Sequence, residues 1–197
     1  MSSEEVRCSW AMGVPEPYAK YHDTEWGIEV RDDRALYERI CLEGFQAGLS
    51  WWTILSRRGA FRDLFANFDP QVVANFDEQT IDRLRVDDRI IRHEGKIRAA
   101  VRNASATLDL GPGGLTQLVW SHQPVIQTRP VAGAQIPAQT SESVALAKAL
   151  KAANFCFIGP TTAYALMQAC GLVNDHAMGC AAGDRVRRYP LLNGDHP

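Results

Sequence analysis

The sequence predicts an all-α protein, on three observations. Helix-starting signals recur along its 197 residues, with a capping carboxylate before a proline at Asp69-Pro70 and another cap at Asp77. Stretches rich in alanine, leucine and arginine follow, notably 95–110 and 141–153. Alternating runs of β-branched residues, the mark of half-buried strands, are short and scarce.

The first long helix is expected over 33–47. Leu36, Tyr37, Ile40 and Cys41 share one face at 3.6 residues per turn. Glu43 falls on that inward stripe, seven residues after Leu36 and three after Ile40, whereas Glu38 points away. Gln46 lies one turn beyond Glu43 and shares its neighbourhood. Asp77 opens a helix over 78–85. The stretch 95–110 is ended by Gly111-Pro112-Gly113-Gly114. Residues 122–140 carry Pro124, Pro130 and Pro137 with few periodic apolar positions, and are expected to form a long surface loop. Helices over 141–153 and 161–170 follow. Residues 1–182 are expected to form a single domain of two closely packed helical lobes, with 183–197 as a flexible tail.

Hydrophobic residues make up 46% and charged residues 22%, the balance of an ordinary soluble protein. No apolar run is long enough to cross a bilayer, and residues 1–7 lack the apolar core of a signal peptide. The cytoplasm is the expected compartment, with no membrane partner. A formal net charge of −2 excludes coating nucleic acid by bulk charge but leaves room for a local basic face. Seven lysines and arginines lie between Arg83 and Arg102, as either a solvated helix face or such a patch. Cys41, Cys156 and Cys170 stand among apolar neighbours and are expected in the core.

A carboxylate on an apolar face must be compensated. Glu43 could pair with a core arginine, stay protonated against the backbone, or serve as a pocket acid for a cationic or hydrogen-bond-donating ligand. Trp10, Trp26, Trp51 and Trp52, four of the five tryptophans, lie within residues 10–52, as do Tyr18, Tyr21 and Tyr37. Such a cluster forms a core, or it sandwiches a flat ring with a carboxylate at its edge, as a flipped-out base is held. A cationic base gains further from facing π-electrons.

Two further features carry chemistry. Phe155-Cys156-Phe157-Ile158-Gly159-Pro160-Thr161-Thr162 joins an apolar run to a helix through Gly-Pro. It either only packs or offers Gly159, Thr161 and Thr162 to a DNA phosphate at the helix start. His176 and Cys180 are four residues apart, and Cys8 and His22 lie near the other end. Together they make a Cys₂His₂ set suited to tetrahedral zinc, although each could be an ordinary packed residue. If they share one ion, it staples the two ends across the 153 residues between His22 and His176.

These motifs together resemble the 3-methyladenine DNA glycosylase I family. The similarity is carried by Cys8-Ser9-Trp10, by Tyr21-His22-Asp23-Thr24-Glu25-Trp26-Gly27, and by Leu42-Glu43-Gly44-Phe45-Gln46-Ala47-Gly48-Leu49-Ser50-Trp51. Ile90-Ile91-Arg92-His93-Glu94-Gly95-Lys96-Ile97 and Met167-Gln168-Ala169-Cys170-Gly171-Leu172-Val173-Asn174-Asp175-His176 continue it. The resemblance implies a helix-hairpin-helix glycosylase fold and one structural zinc held by Cys8, His22, His176 and Cys180. It implies Glu43 and Tyr21 as the catalytic pocket groups, and Trp51, with Trp10, Trp26, Tyr18 and Gln46, as base-binding residues. Phe45 and Trp52 would tune the pocket wall. The implied activity is a monofunctional DNA-3-methyladenine glycosylase acting as a monomer on double-stranded alkylated DNA. It hydrolyses the N-glycosidic bond, releases free 3-methyladenine and leaves an abasic site. The wider helix-hairpin-helix group carries a catalytic Asp some turns beyond the hairpin. Here Gly179, Cys180, Ala181 and Ala182 occupy that distance, flanked by Asp175 and Asp184. That departure favours a rival reading, a binder of damaged DNA that cuts nothing.

Overall fold

The structure is a computed structural model and describes residues 6–186. Its described residues form α-helices, two 3₁₀ turns and loops, with no strand. They divide into two compact units. The first comprises the described parts of 1–29, 123–137 and 167–197, and the second 30–122 and 138–166.

The second unit is built on α2 (Asp33–Gln46) and α7 (Glu94–Asp109). Asp32 caps α2 by accepting from the Ala35 amide at 2.8 Å, and Leu36, Tyr37 and Ile40 make its inward stripe. Ile97, Ala100, Ala104 and Thr107 give α7 its buried face at helical spacing. Phe45, Phe61, Phe65 and Phe68 fill the core beside them, with Phe45 and Phe61 ring centroids 4.7 Å apart. The Tyr37 hydroxyl donates to the Ala100 carbonyl at 2.9 Å, so this large ring is buried without an orphaned polar atom.

Shorter helices complete the unit: α3 (Trp51–Leu55), α4 (Arg58–Leu64), α5 (Pro70–Val73), α6 (Glu78–Leu84), α8 (Gly114–Trp120) and α9 (Ser141–Ala152). Asp69 and Asp77 cap α5 and α6 through the Gln71 and Thr80 amides, as expected. Thr140 and Ser143 form a capping box on α9. Helix α10 (Pro160–Ala169) belongs to the second unit through Leu166 and to the first from Met167.

The first unit holds α1 (Glu16–Thr24) and α11 (Ala181–Arg185), with the loop between α8 and α9. Gly171 has φ +75°, and a Cβ there would stand 2.7 Å from the Gly27 carbonyl, so only glycine fits. Helix α11 continues three residues past 182; residues 187–197 of the expected tail lie outside the described residues. Among the described residues no helix is long and apolar enough to cross a membrane.

Three expectations are corrected. Lys96 is not on a solvated face: it is 8% exposed, and its Nζ donates to the Phe45 and Ala47 carbonyls at 2.9 and 2.7 Å, where α2 ends. Its long stem reaches carbonyls that the helix leaves unbonded, which satisfies the buried ammonium. Phe45 is core, 1% exposed among phenylalanines, so it has no free face to tune a pocket wall. Glu38 lies off the inward stripe of α2, as expected, where Arg62 Nε donates to it at 2.8 Å. Cys156 is half-buried rather than core; its amide donates to Asn103 Oδ1 at 2.7 Å, which draws its backbone rather than its thiol inward.

Candidate functional site

The second unit presents the acid. Helix α2 turns Glu43 inward, leaving it 5% exposed. Burial pushes its carboxyl up from the ordinary 4.5 to about 8, and Arg39, one turn earlier, pulls it down only in part. Of the three arrangements open to Glu43, burial therefore wins over the arginine, and the carboxyl is mostly protonated at pH 7. A protonated carboxyl both donates and accepts, whereas a carboxylate only accepts.

Gln46, half-buried, ends α2 one turn after Glu43. The chain then reverses through Gly48, at φ +82°, and Ser50 caps α3 by accepting from the Thr53 amide at 3.2 Å. Trp51 and Trp52 open α3 half-buried. Glu43, Gln46 and Trp51 thus come from two helices joined by one short turn.

The hairpin belongs to the same unit. After α9 the chain takes left-handed backbone at Asn154 (φ 68°) and Phe157 (φ 55°). Phe155 and Ile158 are buried, while Phe157 is 46% exposed. Gly159 and Thr161 are exposed and Thr162 half-buried at the start of α10. The amides of Thr161 and Thr162 lie in the first turn, where a helix has no acceptor of its own to offer.

The first unit carries the aromatic cluster. Tyr21 is buried on α1, beside His22. Trp10 lies 5.6 Å from Tyr18, 4.9 Å from His22 and 5.0 Å from Trp26, centroid to centroid. Trp26 in turn stands edge-on to His176 at 4.6 Å. Two of the tryptophans expected at the base therefore pack directly on the imidazoles expected at the metal.

Those imidazoles complete a buried quartet. Cys8, His22, His176 and Cys180 offer ligand atoms that all lie within 4.8 Å of one another. His176 Nδ1 is 3.2 Å from His22 Nε2, 3.7 Å from Cys8 Sγ and 3.5 Å from Cys180 Sγ. The outward nitrogens are already engaged: His22 Nδ1 with Asp23 Oδ1 at 2.9 Å, and His176 Nε2 with the Trp26 carbonyl at 3.0 Å. Each ring thereby turns its lone pair toward the sulfurs. Burial pushes both imidazoles below their ordinary range, His176 to about 4, and pushes the Cys8 thiol up to about 11. At pH 7 the rings are neutral, as metal ligands must be, and a bound cation would have to displace the thiol proton.

Sequence reasoning missed the residues that support the quartet. Arg7 holds Asp23 through Nε at 2.9 Å, and Asp23 holds His22. From the long loop, Arg129 donates to the carbonyls of His176, Ala177 and Cys180 and pairs with the Asp184 carboxylate. Gln127 accepts from the Asn174 amide at 2.9 Å. A proline-rich stretch without periodicity gave no signal for either. Asp175, for its part, accepts from Gln168 at 2.8 Å. The two aspartates that flank the expected catalytic position are thus both tied to neighbours.

The chain is similar to several known proteins. The sequence model of the methyladenine glycosylase family matches residues 10–183. DNA-3-methyladenine glycosylase 1 of Escherichia coli is 49% identical over 179 residues, covering 88% of this chain and 95% of that one. DNA-3-methyladenine glycosylase of Haemophilus influenzae is 43% identical, covering 89% and 96%. A crystal structure of 3-methyladenine DNA glycosylase I (TAG) superposes with a TM-score of 0.84 at 46% identity, over 89% of this chain and 98% of that one. The Staphylococcus aureus 3-methyladenine DNA glycosylase I, solved to explain 3-methyladenine recognition, gives 0.83 at 30% identity, over 90% and 96%. The chain belongs to the methyladenine glycosylase family.

Proposed function

We propose that this chain excises 3-methyladenine from alkylated duplex DNA by hydrolysing the N-glycosidic bond. The observation that carries this reading is Glu43, a buried carboxyl held neutral at pH 7 on a helix whose end leads directly into Trp51. The edge of an adenine presents an amine donor beside a ring-nitrogen acceptor. Glu43, neutral in the free protein, meets the cationic base as a carboxylate that accepts from the amine, and Gln46 stands one turn away. The resemblance assigns Tyr21 to assist Glu43, and Trp51, Trp10, Trp26 and Tyr18 to hold the base ring. The hairpin, a helix-hairpin-helix in this reading, grips a DNA phosphate with the first-turn amides of Thr161 and Thr162 beside Gly159.

The lesion is cationic before cleavage. The departing base takes the bonding electron pair and leaves neutral, water adds its oxygen to the sugar carbon, and a proton is lost to solvent. The enzyme must then stabilise less developing charge than for an uncharged base. No Asp stands at the distance expected beyond the hairpin, and the flanking Asp175 and Asp184 are engaged by Gln168 and Arg129. This favours the rival reading of a damaged-DNA binder, and measuring free base released from methylated DNA separates the two. Release of 3-methyladenine is expected; bound DNA with no free base would establish the binder.

The quartet is assigned one structural zinc. Four N and S donors around zinc stand roughly 3.3–3.8 Å apart, and the His176 contacts to the other three ligands, 3.2–3.7 Å, with the Cys180–His22 contact at 3.5 Å, lie close to that spacing. The ion ties Cys8 and α1 to the turn before α11, with no open coordination position. Arg129→Ala is expected to speed zinc loss to a chelator about tenfold, since groups that orient ligands carry that much of metal affinity. The measurement is the rate of zinc transfer to a chromogenic chelator, and an unchanged rate would remove Arg129 from the site. A monomer in the cytoplasm is the proposed working form.

A further inference from the structure

The second unit contains a buried amide that the reaction does not use and that joins its two functional parts. Asn103, on α7, is 2% exposed. Its Nδ2 donates to the Cys156 carbonyl at 3.2 Å, and its Oδ1 accepts from the Cys156 amide at 2.7 Å. One side chain therefore grips both main-chain groups of one hairpin residue, as a neighbouring strand would. Next to it, Arg102 Nε donates to the Asn154 carbonyl at 3.1 Å.

The grip falls where the hairpin is least able to hold itself. Asn154 and Phe157, on either side of Cys156, are both left-handed. Side-chain-bearing residues resist that conformation unless their surroundings impose it.

The helix that carries this amide also meets the helix of the acid. The Tyr37 hydroxyl of α2 donates to the Ala100 carbonyl of α7, about one turn before Asn103. At Gly44, the residue after Glu43, a Cβ would stand 3.3 Å from the Phe157 carbonyl oxygen, so α2 and the hairpin touch there with no room to spare. Helix α2 thus meets the hairpin directly at Gly44, beside Glu43, and is joined at Tyr37 to the helix that carries Asn103.

We infer that Asn103 is a positioning residue that sets the phosphate-gripping hairpin at a fixed register from Glu43. The inference rests on the proposed role of the hairpin in DNA binding. A phosphate held at Thr161 then fixes where the flipped nucleotide stands along α2, so binding energy at the backbone is used to place the base. Free base, which has no phosphate, gains nothing from this register.

That difference supplies the test. Multiple-turnover release from duplex DNA containing 3-methyladenine gives KM and kcat, and tryptophan fluorescence gives Kd for the free base, both on the full chain. Asn103→Ala is expected to raise KM for DNA about tenfold, with the free-base Kd within about twofold, as loss of oriented hydrogen bonds implies. Fluorescence stoichiometry corrects for any unfolded fraction. A free-base Kd that rises with KM would show that Asn103 shapes the pocket instead, and would overturn the inference; so would an unchanged KM. If Asn103→Ala does not fold, Gly44→Ala keeps every hydrogen bond yet presses the hairpin off α2, and the same split between KM and Kd is expected. Its absence overturns the inference equally. Thr161→Glu separates the premise from the conclusion. If it leaves KM unchanged, the phosphate role of the hairpin falls and the register with it. If it raises KM while Asn103→Ala does not, only the register falls.

Discussion

Glu43→Gln is expected to slow release of 3-methyladenine from DNA on the order of 100-fold, the worth of one or two hydrogen bonds to a charged partner. The variant keeps the shape of the side chain and its neutrality in the free protein. What it loses is the ability to ionise. A cationic base against Glu43 lowers the carboxyl's pKa and draws out the carboxylate, and glutamine has no such response. Single-turnover release from methylated DNA measures the effect, and a rate equal to wild type would end the assignment of Glu43 to the pocket.

The same substitution has a pH signature in stability. The carboxyl of Glu43 lies near 8 in the folded chain, above its ordinary 4.5. A raised value means the folded state binds the proton more tightly than the unfolded one. The associated stability is complete below about 4.5 and is lost as pH rises toward 8. Glutamine has no proton to lose. Relative to Glu43→Gln, wild type is expected to lose about 3 kcal/mol between pH 5.5 and pH 9. Urea unfolding of both proteins at the two pH values measures this, and parallel curves would mean that Glu43 is not desolvated.

The second large effect is on folding. Cys180→Ser is expected to reduce bound zinc well below the one equivalent per chain of the wild type, and to cost at least about 3 kcal/mol, because ligand binding here is folding energy. Cys180 and His176 lie in the turn before α11, His22 lies on α1, and Cys8 precedes the first 3₁₀ turn. Without the ion, two thiols remain buried against two imidazoles whose outward nitrogens are already engaged by Asp23 and the Trp26 carbonyl. Elemental analysis and the unfolding midpoint test this together, and unchanged values for both would sink the zinc staple. Base release is expected to survive partial zinc loss better than folding does. It should not be wholly indifferent, because Trp10 and Trp26 pack on the ligand imidazoles.

Much of the helical plan was legible. Asp69 and Asp77 cap the helices they were expected to cap, and Glu43 lies on the inward face that its spacing from Leu36 and Ile40 required. These features depend on neighbours within one or two turns, which sequence spacing encodes directly. Helices α1, α3, α4 and α8 gave no such signal, since at five to nine residues they are too short for a period to show.

By itself the sequence determined the helical class, the inward carboxyl and, with the family motifs, the four Cys and His residues that gather into the buried quartet. Tertiary structure alone decided how each of these is used. It raised the Glu43 carboxyl above its ordinary range, because burial outweighs Arg39. It took Lys96 from a charged stretch and seated it on the end of α2, and it turned Arg129, in a loop without periodicity, into the brace of the metal turn. It set Asn103 on the hairpin across 53 residues of chain. The reason is the same in each case. A polar side chain is placed by the partner that satisfies it, and when that partner is a backbone carbonyl or amide far along the chain, no residue type in the sequence announces it.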